Sequence, residues 1–149
     1  MSPIPVILDC DPGLDDAIAF LLAKQLPQLN VLAITSVAGN VGLEHTNYNA
    51  LGLLEFLDWN IPVYRGASGP VFRKRVEAAE VHGSNGMAGF DLPHTRQEVE
   101  GVSAWDAIHQ YAVEQQGALE IIAIGPLTNL AKAFLKYSDL PQLIKRIVI

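Results

Sequence analysis

The 149-residue chain is predicted to be an α/β protein, a mainly parallel open sheet with helices on both faces. Three observations carry that expectation. Short apolar runs such as Val6-Ile7-Leu8 and Val31-Leu32-Ala33-Ile34 alternate with longer stretches of helical periodicity. These runs are apolar without interruption, as parallel strands covered on both faces must be. Two of them also pass through a tight Pro- or Gly-containing turn into a helix, at Pro12-Gly13 and at Gly125-Pro126. Strands separated by helices in this order join by right-handed crossovers and lie parallel.

In chain order, Ile4 to Leu8 is the expected first strand. A helix over Leu14 to Leu26 follows, with apolar residues at 14, 17, 18, 21, 22 and 26. Ala19, Phe20 and Ala23 make its other side apolar too, so a nearly enclosed helix is expected, stopped by Pro27. Val31 to Val37 is a second strand, ending in Ala38-Gly39-Asn40, which puts Asn40 on the same rim as Asp11. Standing alone, Asn40 would read as a turn residue tolerant of left-handed backbone. The second helix, about Leu43 to Asp58, is expected to face solvent with Glu44, His45, Asn47 and Asn49 and the core with Leu51, Leu54, Phe56 and Leu57. Ile61 to Tyr64 forms a short third strand, with Pro62 tolerated near its start.

From Arg65 to Val102 the periodicity disappears, and six of the twelve glycines fall there. A stretch of that length without pattern points to function. Within it, Val81-His82-Gly83-Ser84-Asn85-Gly86-Met87 is a glycine-jointed loop able to carry His82 over a site. Taken alone, His82 is equally well read as loop filler. Arg73-Lys74-Arg75 reads as solvated surface, and so does His45. Ser103 caps a helix over Ala104 to Gln116 and Gly117 ends it. Leu119 to Ile124 is the fourth strand, and Gly125-Pro126-Leu127-Thr128-Asn129 turns it into a helix over Leu127 to Tyr137, with Pro126 at the first helical position. A short segment, Leu140 to Leu143, leads to a final strand around Ile147, expected to be buried.

Half the residues are apolar and 17% are charged, which excludes a disordered chain. A net charge of −6 argues against nucleic-acid or anionic-membrane partners. The lone cysteine, Cys10, rules out an intrachain disulfide and fits a reducing compartment. No signal peptide and no apolar segment near the roughly 20 residues of a bilayer span is visible. The expected location is the cytoplasm. The chain reads as a single α/β domain over residues 1–149. Because it stops inside a strand, at Lys145-Arg146-Ile147-Val148-Ile149, it is expected to be the N-terminal part of a longer one.

The chemistry concentrates in Asp9, Asp11, Asp15 and Asp16, four carboxylates in eight residues with no Lys or Arg before Lys24. At about 8 Å and an effective dielectric near 20, each pair repels by roughly 2 kcal/mol. A helix N-terminus relieves Asp15 and Asp16 in part, but capping accounts for two aspartates and not four. A cation belongs there. The candidate donors are carboxylates and the Thr128 main-chain carbonyl, with no Cys or His pair, which points to a hard cation, either Ca2+ in a flexible shell of oxygens or Mg2+ in an octahedron. A metal-bound water with an aspartate as proton acceptor is the equipment of metal-assisted hydrolysis.

The run Asp9-Cys10-Asp11-Pro12-Gly13-Leu14-Asp15-Asp16-Ala17 resembles the aspartate signature of the nucleoside hydrolases, the inosine-uridine and ribonucleoside hydrolase family. The likeness continues through Val37-Ala38-Gly39-Asn40, His82-Gly83 and Gly125-Pro126-Leu127-Thr128-Asn129, and so spans essentially the whole chain. It implies a Rossmann-like sheet, hydrolysis of the N-glycosidic bond of ribonucleosides, a tightly held Ca2+ and assembly as a homo-oligomer. By motif position, Asp11 is implied as Ca2+ ligand and general base, with Asp16 and the Thr128 carbonyl as further ligands. Asp15 and Asn40 are implied to hold ribose hydroxyls, His82 to sit near the departing base and Asp9 to support the others. Two positions depart from the pattern: Cys10 stands where threonine is common, and Asn85 where an aspartate often follows His-Gly. Family members run well past Ile149, into a part that carries another calcium aspartate and a histidine near the base. Purine or pyrimidine preference is not legible in this stretch.

Two competing readings follow from the same residues. Asp9-x-Asp11 after an apolar strand also resembles a haloacid-dehalogenase-type magnesium phosphatase, with Asp9 as nucleophile, although Pro12-Gly13-x-Asp15-Asp16 is not that family's continuation. A chain truly ending at Ile149 would instead be a catalytically silent calcium- or ribose-binding fragment.

Overall fold

The computed structural model describes residues 2–73, 83 and 85–149. In chain order the elements are β1 (Ile4–Cys10), α1 (Leu14–Gln25), β2 (Leu29–Ser36), α2 (Leu43–Phe56), β3 (Val63–Tyr64), α3 (Ala104–Gln115), β4 (Leu119–Ala123), α4 (Thr128–Lys136), α5 (Leu140–Leu143) and β5 (Ile144–Val148). The five strands form one sheet in the order β3-β2-β1-β4-β5, and every pairing is parallel. The expected α/β architecture is the observed one.

The sheet separates two apolar layers. Val6, Leu8 and Cys10 of β1 pack with Phe20 and Ala23 of α1 and with Ala50, Leu53 and Leu54 of α2. On the opposite face Ile7 packs with Ile121 and Ala123 of β4, Ile108 and Ala112 of α3, and Leu130 and Ala133 of α4. The two-residue side-chain period of a strand therefore divides β1 between the layers. β2 breaks its own period once. Val6 pairs with Val31 but Ile7 pairs with Ala33, so Leu32 is an extra residue and the strand is bulged there. Beyond the bulge Thr35 sits opposite Asp9, on the α3–α4 face.

Four packing expectations are corrected. Helix α1 is not enclosed: Leu14, Ile18, Leu21 and Leu22 form an exposed stripe, with Ile18 61% exposed, because only Phe20, Ala23 and Asp16 turn inward. Asn47 and Asn49 of α2 are buried and not on a solvent face, while Phe56 is 62% exposed at the end of the helix. The strand around Ile147 is not buried. β5 pairs with β4 alone among the described strands, and its Lys145 and Arg146 reach the buried Glu120 carboxylate at 3.0 and 2.6 Å. Pro126 precedes the first residue of α4 by two positions rather than opening it.

Loops bring the site residues to one rim. The N–H of Val37 donates to the carbonyl of Cys10 (2.9 Å) and that of Ile124 to Asp9 (2.8 Å), so the exits of β2 and β4 are stitched to the exit of β1. In open parallel sheets this carboxyl edge is where ligands bind. Ser103 caps α3 with its Oγ, and Gln116 and Gly117 end that helix in left-handed backbone, at φ +49° and +84°. No helix among the described residues is long and apolar enough to cross a membrane.

Candidate active site

Asp9 lies inside β1 with no exposed surface. Its Oδ1 accepts from Thr35 Oγ1 (2.6 Å) and Asn129 Nδ2 (2.7 Å), while Oδ2 has no hydrogen-bond partner among the described residues. Burial pushes its carboxyl up to about 6, against the pull of the Thr35 and Asn129 donors, and the charge of Asp11 adds to the rise.

Asp11 follows at the strand exit, 6% exposed. Its Oδ2 accepts the main-chain N–H of Asn40 (2.7 Å), and Asn40 Nδ2 donates back to the Asp11 carbonyl (3.3 Å). Two glycines make room for it. A Cβ on Gly39 would stand 2.1 Å from Asp11 Oδ2, and one on Gly125 would stand 2.8 Å from both its Oδ1 and its backbone nitrogen. The turn after β2 and the turn after β4 therefore both close on this carboxylate.

Asp16 opens the first turn of α1, 2% exposed, and its Oδ2 accepts from the N–H of Gly13 (2.9 Å), the helix N-cap. Its Oδ1 is buried with no hydrogen-bond partner among the described residues. Burial raises its carboxyl to about 7; the Gly13 N–H opposes this, and the charges of Asp11 and Asp15 reinforce it. Asp15 is exposed beside it. A Cβ on Gly13 would stand 3.2 Å from both Asp15 Oδ1 and Asn40 Nδ2, so these two polar groups flank Gly13 on the rim.

Thr128 is buried at the start of α4, its N–H donating to the Pro126 carbonyl (2.8 Å). It belongs to the turn whose Gly125 backs Asp11 and whose Asn129 bonds Asp9. The structure thus gathers Asp11, Asp15, Asp16 and Asn40, with Thr128 on the adjoining turn. His82 lies outside the described residues.

Several residues went unassigned in the sequence. Asn129 has no exposed surface and saturates its amide, donating to Asp9 and to the Ser36 carbonyl (2.9 Å) and accepting from the N–H of Ala67 (2.8 Å). Ser36 Oγ donates to Asn47 Oδ1 across the β2–α2 contact. The available signal was a pair of hydroxyl residues, Thr35-Ser36, closing an otherwise apolar strand. Cys10 points into the α1–α2 layer, where burial, with the charges of Asp16, Asp9 and Asp11, pushes its thiol far up.

Gly66 tests how tightly this network is built. A Cβ there would stand 1.9 Å from the Ser36 carbonyl oxygen and 2.3 Å from Asn129 Oδ1. Gly66→Ala is expected to cost about 3 kcal/mol of stability, read from the urea midpoint. Gly101→Ala, which meets nothing within 4 Å, is expected to change it little. Equal midpoints for the two variants would refute this packing.

The buried, hydrogen-bonded Asp9 offers no face to a phosphate, which removes the basis of the phosphatase reading. Comparison with known proteins agrees. Residues 6–149 match the family model described as inosine-uridine preferring nucleoside hydrolase. A non-specific ribonucleoside hydrolase RihC of Shigella flexneri serotype 5b is 41% identical over 146 residues, and that of Escherichia coli O1:K1 is 42% identical over 147, each covering 98% of this chain. Among solved structures, a purine-preferring ribonucleoside hydrolase from Gardnerella vaginalis superposes with a TM-score of 0.91 at 31% identity, covering 96% of this chain and 47% of its own. A plant nucleoside hydrolase does so with a TM-score of 0.91 at 35% identity, covering 97% and 46%. The chain spans about half the length of the curated relatives it matches, 48% in each case. With the model matching nearly every residue and the rim carrying its motif, the chain belongs to the inosine-uridine preferring nucleoside hydrolase family.

Proposed function

We propose that this protein hydrolyses the N-glycosidic bond of ribonucleosides, releasing free base and ribose, with Ca2+ bound at the aspartate rim. The observation that carries the reading is the convergence of Asp11, Asp15, Asp16 and Asn40, drawn from two strand exits and one helix start. Family membership and the ribonucleoside hydrolases named above support it.

The residues present fit a hard cation. Asp16 Oδ1 is a buried carboxylate oxygen lacking a hydrogen-bond partner among the described residues, and the groups assigned to the ion, the Asp11 and Asp16 carboxylates and the Thr128 carbonyl, all offer oxygen. Among the described residues no three His, Cys, Asp or Glu side chains gather as a ligand set, so the reading rests on two carboxylates, Asp11 and Asp16, with the Thr128 carbonyl. A bound Ca2+ would lower the pKa of an attacking water.

Asp11 accepts a proton from the attacking water as the water oxygen bonds the anomeric carbon; the bond to the base nitrogen breaks with its electron pair going to the base, which takes up a proton from solvent. Its two glycine walls and the Asn40 N–H hold the carboxylate in one orientation, which is what a general base needs. Asp15 and Asn40, flanking Gly13, bind ribose hydroxyls, and the carboxylate-rich rim stabilises positive charge building on the sugar. His82 is assigned, through the family motif alone, to the departing base. Homo-oligomeric assembly rests on the same resemblance, and a cytoplasmic location on the single buried free thiol, Cys10.

The test is direct. The protein is incubated with inosine and with uridine, in Ca2+ and in EDTA, and released base is quantified by chromatography alongside phosphate release from p-nitrophenyl phosphate. Base release that EDTA suppresses and Ca2+ restores is expected. No base from either nucleoside, or phosphate release in its place, overturns the reading.

A further inference from the structure

Helix α2 carries one side chain that joins two segments outside it. Asn49, 1% exposed, donates from Nδ2 to the Pro12 carbonyl (2.9 Å) and to the Asn85 carbonyl (2.8 Å). Both hydrogens of the amide group are therefore committed. Pro12 belongs to the aspartate turn, and Asn85 begins the segment Asn85–Phe90.

That segment is compact. Asn85 Oδ1 accepts from the N–H groups of Met87 (2.9 Å) and Gly89 (3.2 Å), and its Nδ2 donates to the Phe90 carbonyl (3.2 Å). Met87 anchors it in the core layer shared by α1 and α2. Gly86, at φ +78°, lets the backbone pass closely: a Cβ there would stand 3.1 Å from Asn49 Nδ2 and 3.0 Å from Val41 Cγ2. A Cβ on Gly13 would in turn stand 3.4 Å from the Gly86 carbonyl oxygen. The segment thus rests on the same glycine that Asp15 and Asn40 flank.

We propose that Asn49 is a positioning residue of this site. It fastens Asn85–Phe90 to the Pro12-Gly13 turn and so sets the wall of the nucleoside pocket beside Asp15 and Asn40. The functional half of this statement rests on the hydrolase reading; the tether does not. An apolar side chain at 49 leaves two carbonyls without their donor, and a site wall displaced by about an ångström is enough to weaken substrate positioning.

The test uses hydrogen exchange and kinetics together. In Asn49→Leu, amides of residues 85–90 are expected to exchange roughly tenfold faster than in the wild type, while β1 and β4 amides keep their rates. Leu53→Ala, a core truncation on the same helix, is expected to raise exchange globally without singling out 85–90. Met87→Ala loosens the segment from its apolar end and gives the same local signature should Asn49→Leu fail to fold. Kinetically, Asn49→Leu is expected to raise KM for inosine and uridine roughly tenfold, with the half-saturating Ca2+ concentration for thermal stabilisation unchanged, whereas Leu53→Ala leaves KM alone. Equal exchange patterns in Asn49→Leu and Leu53→Ala overturn the tether, and an unchanged KM with a loosened segment overturns the positioning role. A wild type that releases no base overturns the hydrolase reading and with it the positioning role, while the exchange pattern still decides the tether.

Discussion

Replacing Asp11 by alanine is expected to lower base release by at least about a thousandfold while leaving the protein folded. The catalytic loss is large because this one side chain carries two duties in the proposed mechanism, proton acceptor and metal ligand. The structural cost is small for an electrostatic reason. Asp11 raises the carboxyls of both Asp9 and Asp16, so its removal relieves repulsion around two buried neighbours. Among its contacts with the described residues, the loss includes the acceptor for the Asn40 N–H. Asp11→Asn retains an acceptor there and separates the duties further, since its amide keeps the shape but takes no proton. Turnover within tenfold of wild type in either variant, measured on protein with an intact thermal transition, would remove Asp11 from its proposed role.

The second large effect is on stability, and its sign follows from the two raised carboxyls. Asp9 and Asp16 titrate near 6 and 7 in the folded protein, against 3.8 for an unperturbed aspartate. Between those values the folded state binds more protons than the unfolded state, so stability is greatest at low pH in this window and falls as pH rises through it. Each pKa unit is worth about 1.4 kcal/mol, so the two groups together withdraw several kcal/mol between about pH 4 and pH 7. In EDTA the melting temperature is therefore expected to fall by many degrees across that range. Excess Ca2+ is expected to flatten the fall, because a cation bound only by the folded state favours the ionised carboxylates. A melting temperature that rises from pH 4 to pH 7 in EDTA would show these carboxyls to be stabilised as anions without metal. A profile indifferent to Ca2+ would count against a cation at Asp16.

These two predictions draw on the part of the site that was most legible. Four aspartates with no Lys or Arg before Lys24, placed between an apolar run and a helical pattern, announce a strand exit, a helix start and a charge problem together. Asn40 and Thr128 followed from the same logic of strand exits, and the structure brings their turns against Asp11. The polar network beneath was not legible in that way. Asn47 and Asn49 sit at helix positions that look outward on a two-dimensional wheel, yet they face inward because β2 and the Pro12 turn present hydroxyl and carbonyl groups there. Asn129 looked like part of a turn, and only its contacts with Asp9, Ser36 and Ala67 show that one amide ties three segments together.

Local pattern by itself determined the α/β class, the order of the elements and the aspartate rim, because strand and helix periods and Pro-Gly punctuation are properties of neighbouring residues. The exposed stripe of α1, the pairing of β5 with β4 and the partners of Asp9 were decided only in three dimensions. The bulge at Leu32 shows the reason most plainly. A strand's side chains alternate with period two, so one extra residue reverses every face beyond it. That reversal turns Thr35 toward Asp9 and Ser36 toward Asn47. Nothing in Leu32 or its neighbours marks it as the extra residue, since the register is set by pairing with β1 and by the two apolar layers that must both be filled.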